Sequence, residues 1–155
     1  MKYDDSYYIV SLISLSGNVV FNEAIGFTAI HGYDASYSNG EVVIFGNVVS
    51  NIGNHYSPTN STFTCPIAGM YMFSVSVLNG VYDSDSEVAI MRDDSILINV
   101  LLDESSSDDM FNSASAVIVV ECDIGQHVYV ESIRSSAIEG NFGTSHFSGA
   151  LIQRL

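Results

Sequence analysis

The chain has 155 residues, 47% of them apolar and only 14% charged, and its eighteen Asp and Glu against four Lys and Arg leave a formal charge of −14. That length holds one domain with a real core, and so large an apolar share excludes intrinsic disorder. So few basic residues cannot replace the counterions of a phosphate backbone, which excludes nucleic acid as a partner and disfavours an anionic membrane surface.

Residues 1–25 form an N-terminal segment of unassigned role. Tyr7 to Leu15 is apolar and as long as the hydrophobic stretch of a leader peptide. Asp4 and Asp5, however, occupy the place where a leader carries positive charge, so an ordinary strand or ordering segment is preferred. Beyond it, no stretch of about twelve residues repeats apolar side chains at three and four positions, and helix signals are nearly absent. What recurs is a short apolar run bounded by Gly, Asn, Asp or Ser. Strands are expected over 26–31, 41–49, 62–65, 70–78, 88–92, 96–102, 115–122, 127–133 and 147–153. In the fourth, Tyr71, Phe73, Val75 and Val77 alternate with Ser74 and Ser76. The run from Ala116 to Val120 is apolar on both faces, so it needs a second sheet on one side and another subunit on the other. Asn39-Gly40 and Asn79-Gly80 supply turn chemistry, and Asp123-Ile124-Gly125 joins two strong strands in a tight hairpin.

These elements predict one all-β domain of about eight to ten antiparallel strands in two packed sheets. No apolar run reaches the ~18 residues of a membrane span, so no membrane insertion is expected. Cys65 and Cys122 lack C-x-x-C metal spacing. They are one bridge or two buried thiols, and two thiols are preferred. The sequence has no H-E-x-x-H, no G-x-S-x-G and no phosphate-cradling glycine loop, and four scattered histidines make no constellation, so no enzyme is expected.

Gly26-Phe27-Thr28-Ala29 and Val43-Ile44-Phe45 followed by Asn51-Ile52-Gly53-Asn54-His55-Tyr56 open a series of recognisable elements. Phe63-Thr64-Cys65-Pro66, then Gly69-Met70-Tyr71-Met72-Phe73, continue it. Gly125-Gln126-His127-Val128-Tyr129-Val130 and Phe147-Ser148-Gly149-Ala150-Leu151-Ile152 complete it. In this order the elements resemble the globular C1q domain of the C1q/tumour-necrosis-factor group over residues 26–155. The resemblance implies a ten-stranded jelly roll that assembles as an extracellular homotrimer. It also carries departures. Gln126 stands where the family usually has Asp, and Asp83 lies where some members have a second cysteine for the one at position 65. No collagen-like Gly-X-Y tract lies within these 155 residues.

Carboxylates cluster at Asp83, Asp85 and Glu87, at Asp93 and Asp94, and at Asp103, Glu104, Asp108 and Asp109. The first group starts like a calcium loop but has Val88 where an EF-hand needs Gly, and reads as a solvated turn. Some C1q-like heads bind calcium near the trimer axis through Asp residues in a strand–turn–strand stretch. By that resemblance Asp93, Asp94 and Asp103 are the candidate metal ligands and calcium the candidate cofactor. Three chains of −14 would gather −42 formal charges, which a divalent cation would offset. The alternative is solvated loop charge screened by salt. Asn60-Ser61-Thr62 is the candidate glycosylation site, and Tyr33 and Tyr37, in a loop expected to be exposed, are candidate ligand-binding residues. The expected function is a secreted homotrimeric recognition module for carbohydrate or other microbial or cell-surface ligands. The alternatives are an acidic calcium- or mineral-associated trimer and a receptor ligand of tumour-necrosis-factor type.

Overall fold

The computed structural model describes residues 24–79, 86–102, 112–140 and 143–155. Alternating burial along the chain produces strands with one face in a common core. One sheet contains β1 (Gly26–Ile30), β3 (Asn47–Ile52), β6 (Gly69–Leu78), β9 (Ser113–Cys122) and β12 (His146–Arg154), in the order β3-β1-β12-β6-β9. The other contains β4 (Tyr56–Ser57), β5 (Thr62–Thr64), β7 (Ser86–Arg92), β8 (Ser95–Leu102) and β10 (His127–Ser132), in the order β4-β5-β10-β7-β8. A two-stranded ribbon of β2 (Ala35–Tyr37) and β11 (Ser136–Ile138) lies beside them. All pairings within these sheets are antiparallel. The ten strands of the two main sheets meet the all-β expectation, whereas β2, β4 and β11 were not foreseen. At two or three residues each, they are too short to show a period.

The expected strand over 41–49 is two pieces in different sheets. Gly40 and Val43 donate their N–H groups to Ser132 and Val130 at 2.8 and 2.9 Å, joining this stretch to β10. Four residues later, from Asn47, the chain pairs with β1 in the opposite sheet. Val43 and Phe45 stay buried through the crossing, so the alternation is continuous while the pairing partner changes. Hydrophobic period reports the first and is blind to the second.

Aromatic rings fill the interior. Phe27 stacks on Tyr56 at 4.3 Å and on Phe63 at 5.2 Å, and meets Phe147 edge-on at 5.0 Å. Tyr71 and Phe73 extend the same cluster from β6. Each such ring, fully buried, stabilises the fold by roughly 3 kcal/mol. Gly149 makes the packing fit: a Cβ there would lie 2.6 Å from the Phe73 ring and 2.7 Å from the Phe27 ring.

Cys65 and Cys122 form a disulfide, which corrects the preference for two thiols. Cys65 directly follows β5 in one sheet and Cys122 ends β9 in the other. Backbone bonds from Cys65 N–H to Gln126 O and from Gly125 N–H to Cys65 O, at 2.9 and 2.8 Å, hold the two ends together. Across 57 residues of sequence there was no spacing signal to reveal this meeting.

Register lines up the outer face of the β3-β1-β12-β6-β9 sheet in rows. One row runs Ile52, Gly26, Ala150, Met72 and Val119 across all five strands; the next runs Ser50, Thr28, Ser148, Ser74 and Val117. Met72, Val117, Val119 and Ile52 are all exposed. Neither row holds a charged residue. A shallow groove of about 140 Å³ runs between Thr28, Met72, Ser74, Ser148 and Ala150.

Candidate functional site

Strand β10 lies between β5 and β7, so the turn that enters β5 and the turn that leaves β7 flank its outward side chains. His127 and Tyr129 project from β10. The Asp93-Asp94 turn closes the hairpin between Arg92 and Ser95, and Asn60 and Thr62 approach from the β5 side. Together with Val42 they line an open cleft of about 430 Å³, a size within the range of small-ligand sites. Three of the expected site residues, Asp93, Asp94 and Asn60, therefore share one surface feature.

Asp93 is the organising residue of this cleft. It holds a left-handed conformation with φ of 51°, which Asp tolerates better than most residues. Its N–H donates to the His127 carbonyl at 2.8 Å, and its Oδ1 accepts the His127 N–H at 2.9 Å. Its carbonyl accepts the Tyr129 hydroxyl at 2.6 Å. Gln126 donates from Nε2 to Asp93 Oδ2 at 3.3 Å, while its Oε1 accepts the Asp123 N–H at 2.8 Å. The departure at position 126 thus has a local use. An amide can donate to Asp93, whereas a carboxylate there would repel it. The His127 ring lies 3.6 Å from the same carboxylate. Burial, followed by the charges of Glu131, Asp94 and Asp93, raises the Tyr129 phenol above its ordinary pKa of 10.0, so it stays a neutral donor.

Both Asp93 oxygens are thus engaged by the protein. Among the described residues no three His, Cys, Asp or Glu side chains are grouped to hold a metal ion. Asp103, the third expected ligand, lies outside the described residues, as do Asp83, Asp85, Glu104, Asp108 and Asp109. Glu87 is structural: its carboxylate pairs with Arg134 at 3.1 Å and accepts from Asn99 at 2.8 Å.

Of the two tyrosines expected in an exposed loop, only one is exposed. Tyr33 is 54% exposed, but Tyr37 is 8% exposed, which removes it as a ligand contact. Its hydroxyl accepts the Ile44 N–H at 3.2 Å, and burial pushes its pKa up to about 12. Neither tyrosine lines the cleft. What sequence reasoning missed was the pair His127 and Tyr129. Their outward alternation on β10 was legible, but not the turns that close over them.

Beside Tyr37 sits His31, wholly buried against the rings of Tyr33, Tyr37 and Phe45. Its Nδ1 bonds the Ile44 carbonyl at 2.7 Å, while Nε2 has no hydrogen-bond partner among the described residues. Burial lowers its pKa from 6.5, opposed by the carbonyls of Ile44 and Ile138 and the charges of Asp34 and Glu139. A neutral folded imidazole that becomes charged on unfolding stabilises fully above pH 6.5. That contribution is lost as pH falls from 6.5 through the lowered folded-state value. Urea midpoints measured from about pH 7.5 to about pH 5 should decline, and His31→Gln should flatten the decline whatever it does to stability at neutral pH.

Two five-stranded antiparallel sheets in these orders, with an aromatic core between them, define a jelly-roll sandwich of the C1q and tumour-necrosis-factor class. The C1q domain pattern matches residues 26–152, and the chain belongs to the C1q domain family. The human complement C1q B subcomponent is 24% identical over 141 residues, covering 88% of this chain and 53% of that protein. The bovine complement C1q A subcomponent is 29% identical over 138 residues, covering 88% and 55%. The chain thus spans about half the length of these relatives. Among solved structures, the globular domain of zebrafish complement 1qA superposes with a TM-score of 0.69 at 15% identity, over 84% of this chain and 99% of that one. Eiger TNF from S. frugiperda superposes with a TM-score of 0.72 at 11% identity, over 86% and 95%. At these identities the structural likeness concerns the fold alone.

Proposed function

We propose that the chain is a secreted recognition module that works as a homotrimer, presenting copies of the cleft around Asp93 and Tyr129 to repeated carbohydrate or other surface ligands. It binds and does not catalyse. The observation that carries this reading is the pair of adjacent rows without a charged residue, from Ile52 to Val119 and from Ser50 to Val117, on the outer face of the β3-β1-β12-β6-β9 sheet. A chain of −14 repels its own copies. Self-association therefore favours a surface where no charge must be buried, and the Ile52-to-Val119 row is such a surface. Its exposed Met72, Val117 and Val119 give the apolar area that subunit contacts use. The cleft lies on the opposite sheet, so assembly would leave it open. Several weak sites held rigidly bind a repetitive surface far better than one.

Sedimentation tests the assembly. The expected mass is about three times the 16.8 kDa of one chain, and a lone subunit overturns the reading. Glycan-array binding that is strong for the assembly and weak for a dissociated chain supports the recognition role; no binding by either counts against it. The calcium expectation rests on Asp103, so its test is a calcium titration of Asp103→Ala. Weaker calcium affinity or weaker assembly supports it, and an unchanged response removes Asp103 from the site.

A further inference from the structure

We propose that Asn60, one of the residues lining the cleft, carries an N-linked oligosaccharide that would compete with external ligands at the cleft mouth, on the sheet opposite the two uncharged rows. Asn60-Ser61-Thr62 is the one Asn-x-Ser/Thr tripeptide in the chain, and the residue after it is Phe63, not proline. The turn holding it is fixed from within. Ser61 is wholly buried, with φ of 52°, and its Oγ accepts the Phe45 N–H at 2.7 Å. The Thr62 hydroxyl donates to the Asn60 carbonyl at 3.1 Å. Anchoring Ser61 inward leaves Asn60 exposed, with its side-chain amide making no hydrogen bond among the described residues.

A second observation, independent of the tripeptide, concerns compartment. The buried Cys65–Cys122 bridge joins the two sheets, and such bridges form in the oxidising lumen of a secretory pathway. That lumen is also where N-linked transfer takes place. In that step the Asn60 Nδ2 forms a bond to the anomeric carbon of the first sugar of a polyprenyl-diphosphate-linked oligosaccharide. The bond from that carbon to the diphosphate oxygen breaks, polyprenyl diphosphate leaves with the electron pair, and the amide proton passes to the transferase base. Location makes the product harmless to the fold. Asn60 precedes β5, near the edge of its sheet, and its bulk would face solvent and not the apolar row through Met72.

The test is the intact mass of the chain secreted from a eukaryotic host. The expected result is a mass above 16.8 kDa by one oligosaccharide, restored by an amidase that cleaves N-linked glycans and leaves a carboxylate at position 60. Asn60→Gln and Thr62→Ala should secrete at the unmodified mass, while Thr62→Ser, which keeps the tripeptide, should still carry the glycan. Secreted, disulfide-bonded wild-type chain at its bare mass would overturn the proposal, as would a glycan persisting in Asn60→Gln. Sedimentation of the glycosylated and enzyme-treated chains should give the same number of subunits. Loss of assembly on glycosylation would overturn the placement of the sugar away from the subunit contacts, without touching the trimer reading of the bare chain.

Discussion

Reduction of the Cys65–Cys122 bridge should lower the unfolding free energy by about 4 kcal/mol, the chain-entropy cost of freeing a loop of this length. The loop between the cysteines contains β6, β7, β8 and most of β9, so an open chain gains freedom across both sheets at once. A domain of this size has a total stability of roughly 5–15 kcal/mol, and losing about 4 would remove a large part of it. Urea unfolding with and without reductant measures the difference. The double variant Cys65→Ser with Cys122→Ser should fall near the reduced wild type and ignore reductant. A shift below about 1 kcal/mol on reduction would mean that the bridge does not form in the folded protein. Core packing around β5 and β9 would then have to hold the two sheets together unaided.

The legible part of this molecule is the part governed by alternation. Tyr71, Phe73, Val75 and Val77 announce β6 and its buried face, and the same rule finds β1, β5, β7, β8, β9, β10 and β12 to within a few residues. The illegible part depends on which strand lies beside which. The sheet switch before Asn47, the disulfide and the burial of Tyr37 are all consequences of pairing across long sequence separations. Tyr37 looked exposed because Gly, Ser and Asn surround it. In fact β2 pairs with β11, about a hundred residues later, and that ribbon turns the ring inward. The same cause divides the candidate site. Asp93 and Asp94 stand out as a carboxylate pair in a turn, and Asn60 as a motif, yet only sheet order places both beside Tyr129.

Sheet order also makes the proposed assembly face testable in detail. Met72 on β6 and Val119 on β9 are direct neighbours in the apolar row, both exposed in the single chain. Met72→Asp or Val119→Asp should convert an assembly of about three chains to single chains of 16.8 kDa. Each substitution recurs in every copy, so several carboxylates would be desolvated together against apolar neighbours. A buried carboxylate needs a cation or donors to survive, and the chain has only four Lys and Arg, none of them in this row or the next. The control is Ile124→Asp in the β9–β10 turn. Ile124 is 72% exposed against 51% for Val119, so a general effect of added charge would appear there as strongly. Its mass should stay unchanged. If Met72→Asp and Val119→Asp also keep the full mass with their β-structure intact, the two uncharged rows are not where the chains meet. The −14 repulsion would then have to be overcome at a surface that buries carboxylates.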